Sequence, residues 1–323
     1  MAASRLGLAA LLLWPLCGAP QAAQARVVVP IHQRVMTDGV RRYGVPVSVD
    51  GEVVEAALDT GSSGLLLLPG KAASSEHGPR RTYVFSGGVR LEGVEAAADL
   101  ALGEARGRTR AQRISKIGCV DARPRCSAAA LSLDRFGFEG DGLPGEGFRA
   151  LLGLGLAGPA QDHPLRALGA RRWIVSLPRP QDQADGRLVL DPTDEEVAGF
   201  VFLPMIERLA WRRDGAHDAV EGCLEAAEGA RRVCGPALLD TGAAGVAVVN
   251  AGGAAAEWAV GARLILGDGR LPPVAIAPGA RAVAVGRGVD MPTPIILAGA
   301  APYLAFDVLY DPENRRIGLR PRP

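Results

Sequence analysis

Neither sign of charge is in excess here: 36 Lys and Arg stand against 35 Asp and Glu in 323 residues, a formal net charge of +1. The basic residues are spread thinly, so the chain lacks both a nucleic-acid footprint and a membrane-binding stripe. Histidine is scarce as well, with 4 residues. His32, His77, His163 and His217 lie apart and match no zinc spacing with the cysteines, so neither a metal nor another cofactor is expected. There is no G-x-S-x-G, which removes the usual serine-hydrolase nucleophile. "GLGLAG" imitates a Gly-rich nucleotide loop, yet no helical pattern with a suitably spaced acid follows it. Low-complexity segments and short-period repeats are absent, and past residue 25 no apolar stretch is long enough to span a bilayer.

What remains is ordinary globular material, 48% hydrophobic and 22% charged, long enough for one large domain or two lobes. The first 25 residues, "MAASRLGLAALLLWPLCGAPQAAQA", carry one Arg, an apolar stretch from Leu6 to Leu16, and small residues ending in Ala25. That is the form of a cleaved secretory signal, and it predicts a mature chain starting near Arg26, secreted or periplasmic. Cys17 falls inside this segment. Cys119, Cys126, Cys223 and Cys234 are left, an even number that suggests two disulfides after export. Of the three connectivities, the local pairs Cys119–Cys126 and Cys223–Cys234 are the simplest, each stapling a short hairpin.

Most of the chain reads as strands. "RRYGVPVSVDGEVVEAALDTG" is two apolar runs joined by Asp50-Gly51, a hairpin signal. "GRLVLD", "GFVFLP", "RLILGDGRLPPVAIA" and "AFDVLYDPENRRIGL" look like further strands, while "HPLRALGARR" and "NAGGAAAEWAV" look briefly helical. The acids of "DPTDEEVAG" read as a solvated turn, and His163 as a surface or packing residue.

One long-period repeat stands out. "ALDTGSSGLLLLP", residues 57–69, returns as "ALLDTGAAGVAVVN", residues 237–250. In both, an apolar run ends on an Asp, passes through Thr-Gly, and resumes at once. A lone buried carboxylate is costly, but two brought within about 3 Å cannot both ionise and share a proton, the behaviour for which aspartic proteases serve as the general illustration. Such a pair is acid and base together. A water between the two carboxyl groups can lose a proton to the ionised one, while the protonated one hydrogen-bonds a substrate carbonyl. Gly61 and Gly242, lacking Cβ, allow two loops to approach closely; the Thr60 and Thr241 hydroxyls can bond locally or across the pair.

With both loops, the hydrophobic-hydrophobic-Gly segment "RALLGLGLAG" and the C-terminal stretch "IILAGAAPYLAFDVLYDPENRRIGL", the chain resembles a bilobal pepsin-type aspartic protease of the kind found as secreted or periplasmic proteins in bacteria. The resemblance covers most of the chain after residue 25. It implies an all-β protein with two pseudo-symmetric lobes, an N-terminal lobe at 26–180 and a C-terminal lobe at 181–323, with a cleft between them. It implies a peptidase in which Asp59 and Asp240 hold the catalytic water, Gly61 and Gly242 give the close turns, Thr60 and Thr241 tie the loops together, and Ser62 bonds the outer oxygen of Asp59. The substrate would be an extended peptide or unfolded protein, and the chain, already holding both halves, would be a monomer. The alternative is a pepsin-like protein that binds peptide or glycan without cleaving it.

This sequence departs from the pattern in two informative ways. Ala243 stands where the first loop has Ser62, so Asp240 lacks a hydroxyl donor and is expected to be the more protonated partner. The working pH is then expected above that of a relative with hydroxyls on both sides. The hairpin that closes the cleft in this family usually bears a Tyr; "RTYVFSGGVRLEG" offers Tyr83 or Phe85, of which Tyr83 is favoured.

Overall fold

Asp50 and Gly51 both have positive φ, 51° and 85°, as a two-residue hairpin turn requires. They join the antiparallel strands Arg41–Val49 and Glu52–Asp59, paired from Gly44↔Ala57 to Val49↔Glu52. The computed structural model describes residues 26–70, 77–157, 162–206, 218–227, 229, 231–243, 245–250, 261–276, 281–284 and 294–323. Over these residues strands dominate, as expected for an all-β chain. The expected signal segment, 1–25, and most of the "NAGGAAAEWAV" helix lie outside the described residues.

Among the described residues two sheets carry the fold, one of thirteen strands and one of seven. Six neighbouring strands of the larger sheet come from the start, middle and end of the chain: Val201–Pro204, Arg316–Pro321, Phe306–Asp311, Trp173–Ser176, Gly186–Leu190 and Val27–Val35, in spatial order. Residues 180 and 181, where the lobes are expected to divide, lie in the connection between two of these neighbours, Trp173–Ser176 and Gly186–Leu190. Their apolar side chains join a continuous buried cluster in which Leu58, Leu152 and Trp173 pack together with Leu239, Ile296 and Tyr303.

Both Asp-Thr-Gly stretches sit in the same topology. Glu52–Asp59 runs parallel to Ala150–Leu154, with Asp59 opposite Gly153. The chain then returns as Ser63–Leu67 on the other flank of that strand, antiparallel to it. In the second half Arg232–Leu238 runs parallel to Ile295–Leu297, and Ala247–Asn250 lies antiparallel on the other flank. The middle strand of the first motif, "ALLGL", is buried at every residue, which explains its unbroken apolar character.

Both local disulfides are formed, with S–S distances of 2.03 Å for Cys119–Cys126 and 2.09 Å for Cys223–Cys234. Cys223 and Cys234 face each other across a hairpin. The other pair differs from the hairpin expectation: Cys119 ends the strand Ala105–Cys119, and the bond closes the turn that follows. The acidic stretch "DPTDEEVAG" is solvated as expected, with Asp194 and Glu195 exposed, but its turn is a single helical one, Asp194–Val197. Thr193 and Glu196 form a reciprocal capping box there, and three acids stand in the first turn, where the helix dipole favours them. His163 is buried, caps the short helix Pro164–Ala167, and stacks on Trp173 at 4.8 Å. Burial lowers its pKa to about 4, so it packs as a neutral ring.

Candidate active site

The two loops meet through their threonines. The Thr60 N–H donates to Thr241 Oγ1 at 3.0 Å, and the Thr241 N–H donates to Thr60 Oγ1 at 2.9 Å. Each hydroxyl then donates across the pair, Thr60 to the Leu239 carbonyl at 2.9 Å and Thr241 to the Leu58 carbonyl. Both side chains are buried, so these four bonds satisfy groups that water cannot reach.

This interlock brings the glycines and acids together. A Cβ on Gly61 would lie 2.3 Å from Asp240 Cγ, and one on Gly242 would lie 2.7 Å from Asp59 Cγ. Both are impossible contacts, so only glycine permits this approach. Asp59, 5% exposed, accepts from the N–H groups of Gly61 at 2.8 Å and Ser62 at 2.9 Å, and from the Ser62 hydroxyl. Asp240 accepts from the Gly242 N–H at 2.9 Å, and the methyl of Ala243 adds no counterpart to the Ser62 hydroxyl.

The carboxyl groups are hydrogen-bonded to each other. Burial raises both pKa values. For Asp59 the Ser62 hydroxyl and the two loop N–H groups oppose the rise; for Asp240 the Asp59 charge adds to it, to about 8. The arrangement therefore holds one proton, on Asp240, donated toward an ionised Asp59. Chemically it is a buried acid beside a base.

Tyr83 lies on Arg80–Val84, the strand entering a hairpin with Val89–Leu102. Its hydroxyl accepts from the Ser63 N–H at 3.4 Å, and its ring packs 5.0 Å from Phe85, which meets Phe138 at 6.4 Å. Tyr83 thus borders the first loop, while Phe85 joins an aromatic group farther along.

Several residues of this site gave no sequence signal that was used. Tyr303 donates to Thr60 Oγ1 at 2.8 Å and shares a 2.5 Å hydrogen bond with Tyr310. Arg42, 4% exposed, donates from Nη1 to the Gly242 carbonyl at 2.7 Å and from Nη2 to the Asp141 carboxylate. Glu139 and Asp141 both take positive φ, 57° and 51°, a strained backbone for side-chain-bearing residues. The acids alternating with glycines in "FEGDG" were the available clue. Among the described residues no group of His, Cys, Asp or Glu is arranged to hold a metal ion, and no helix is long and apolar enough to cross a membrane.

No protein-family model matches the chain, and a comparison with curated proteins finds no match. Among solved structures, the chain is similar to an aspartic proteinase from Irpex lacteus, with a TM-score of 0.59 and 15% identity over 92% of this chain and 97% of that one. At such low identity the likeness extends to architecture alone, and the two-sheet all-β structure built around paired Asp-Thr-Gly loops has the pepsin-like aspartic proteinase fold.

Proposed function

We propose that this protein is an aspartic endopeptidase in which Asp59 and Asp240 share a proton and activate water against a peptide carbonyl. The observation that carries the reading is the interlocked pair, two hydrogen-bonded carboxyl groups on loops too close to admit a Cβ on either glycine. Asp59, supported by three donors, is the base that takes the proton of the water. Asp240 is the acid that donates to the carbonyl oxygen as the tetrahedral intermediate forms. On collapse Asp59 passes the proton it took from water to the leaving nitrogen, the hydroxyl of the tetrahedral intermediate returns a proton to Asp240 as the carbonyl reforms, and no covalent enzyme intermediate arises. Ser62, Thr60, Thr241, Gly61 and Gly242 hold the carboxyl groups in place.

The substrate in this reading is an extended peptide or unfolded segment lying between lobes at 26–180 and 181–323, with Tyr83 on the covering hairpin and backbone hydrogen bonds supplying much of the binding. The two disulfides fit an oxidising compartment, in keeping with export behind a signal segment cleaved near Ala25; with both Asp-Thr-Gly loops in one chain, the enzyme in this reading is a monomer. Incubating the chain from Arg26 onward with an unfolded protein, followed by mass spectrometry of the products, tests the reading. Internal cleavage between pH 4 and 7 supports it. A folded, disulfide-bonded protein that releases no fragments overturns it in favour of binding without cleavage.

A further inference from the structure

We propose that Arg42 is a positioning residue for the Asp59/Asp240 pair, bracing the second Asp-Thr-Gly loop through the Gly242 carbonyl and holding a fixed positive charge beside the two carboxyl groups. The inference rests on the proton-sharing pair described above. Arg42 lies on the strand Arg41–Val49 and reaches a carbonyl 200 positions later in the chain. The Gly242 peptide it grips is the common support of the pair. Its N–H bonds Asp240 Oδ1 at 2.9 Å, its Cα packs directly against the Asp59 carboxyl group, and its carbonyl accepts from Arg42 Nη1 at 2.7 Å.

A guanidinium buried this deeply is stable only with compensation. Asp141 supplies a carboxylate to Nη2. Glu139, two residues before it, is the second acid facing Arg42, and both its carboxyl oxygens are buried without a hydrogen-bond partner, as is Arg42 Nε. The groups that face Arg42 are therefore Asp141 and Glu139 from one loop, Asp240 with Asp59 behind it from the other, and Tyr43 from its own strand. Burial holds the Glu139 carboxyl well above the ordinary carboxylate range and raises Tyr43 as well, so both are neutral in acid. Asp141 is then the counter-charge, and the remainder of the Arg42 field falls on the pair. A positive charge there favours the singly ionised state, keeping the base available at lower pH.

The test compares Arg42→Gln, Arg42→Lys and Asp141→Asn with the parent protein. It uses the pH profile of kcat/KM on an unfolded protein substrate, and carboxyl-carbon NMR titration of Asp59 and Asp240. Removing the charge in Arg42→Gln is expected to move the acid limb, and the lower of the two ionisations, upward by about one pH unit. Arg42→Lys keeps the limb near that of the parent. Asp141→Asn, which strips the guanidinium of its counter-charge, moves the limb the opposite way, toward lower pH. An Arg42→Gln protein with reduced kcat at every pH and an unmoved limb would mean that Arg42 only packs the loop, and would overturn the proposal. Should Arg42→Gln fail to fold, Asp141→Asn decides: a limb that stays in place or rises overturns it. The NMR titration separates this inference from the peptidase reading. A parent that cleaves nothing but shows the shifted ionisation in Arg42→Gln sinks hydrolysis and leaves the assignment of Arg42, whereas superimposable titrations sink Arg42 whether or not peptide is cut.

Discussion

The hydroxyl of Thr60 accepts from the backbone N–H of Thr241, and the hydroxyl of Thr241 accepts from the backbone N–H of Thr60, an exchange between residues 181 positions apart. The symmetry is broken by Tyr303, whose hydroxyl donates to Thr60 at 2.8 Å. Replacing Thr60 by Val strands the Thr241 N–H, because the Tyr303 hydroxyl still reaches the Leu239 carbonyl at 3.3 Å and keeps its bond to Tyr310; replacing Thr241 strands the Thr60 N–H and the Leu58 carbonyl. Each buried orphan costs roughly 1–3 kcal/mol. Thr241→Val is therefore expected to lose more stability than Thr60→Val in urea unfolding, and equal midpoints would contradict this asymmetry.

Gly61 and Gly242 are equally small but not equally crowded. The Cβ of Gly61→Ala would meet Asp240 Cγ at 2.3 Å, against 2.7 Å to Asp59 Cγ for Gly242→Ala. Displacing a reacting group by about 1 Å costs on the order of a hundredfold in rate. Both variants are expected to lose at least about that much in kcat/KM, Gly61→Ala the more, while circular dichroism still reports a folded β protein. Near-parental activity in either would mean that the carboxyl groups do not need this approach.

The Ser62 hydroxyl stabilises the charged form of Asp59. Its removal in Ser62→Ala raises the pKa of the ionised partner, so the acid limb of the pH profile is expected to shift upward. Ala243→Ser adds a donor on the other side and is expected to extend activity toward acid. Limbs that coincide in all three proteins would remove the hydroxyl from the electrostatics of the site.

The loops and the first hairpin were legible in sequence because their determinants are local. Asp50-Gly51 is a turn in any context, and the repeated Leu-Asp-Thr-Gly needs no partner to be seen. Arg42 was not legible, since nothing in "RRYG" separates an arginine that reaches Gly242 from an exposed one, and its neighbour Arg41 is indeed exposed. Tyr303 and Glu139 were missed for the same reason: their roles depend on contacts with Thr60 and Arg42 made only after the sheets assemble. The helical turn at Asp194–Val197 was missed differently. Thr193 and Glu196 carry the spacing of a capping box, and the density of acids hid it.

A buried acid with a raised pKa costs stability when it ionises. The folded-state pKa of Asp240 lies near 8, against an ordinary value of 3.8, so the native state binds more protons than the unfolded chain between those limits. Its contribution is then fully present in acid and is lost as pH rises through the folded value. Asp240→Asn is therefore expected to have a higher melting temperature than the parent at pH 7, with the advantage shrinking toward pH 4. An advantage that grew on acidification would reverse the assignment of the proton.

The most direct measurement is the rate of unfolded-protein cleavage by the parent, Asp59→Asn and Asp240→Asn across acid to neutral pH, each checked for its fold and both disulfides. If the carboxyl pair activates the water, the parent cleaves with an optimum above pH 3, and each near-isosteric variant loses about a thousandfold or more, since neither acid nor base can be replaced by an amide. A folded Asp240→Asn protein that still cleaves at the parental rate would contradict the shared proton at Asp59 and Asp240.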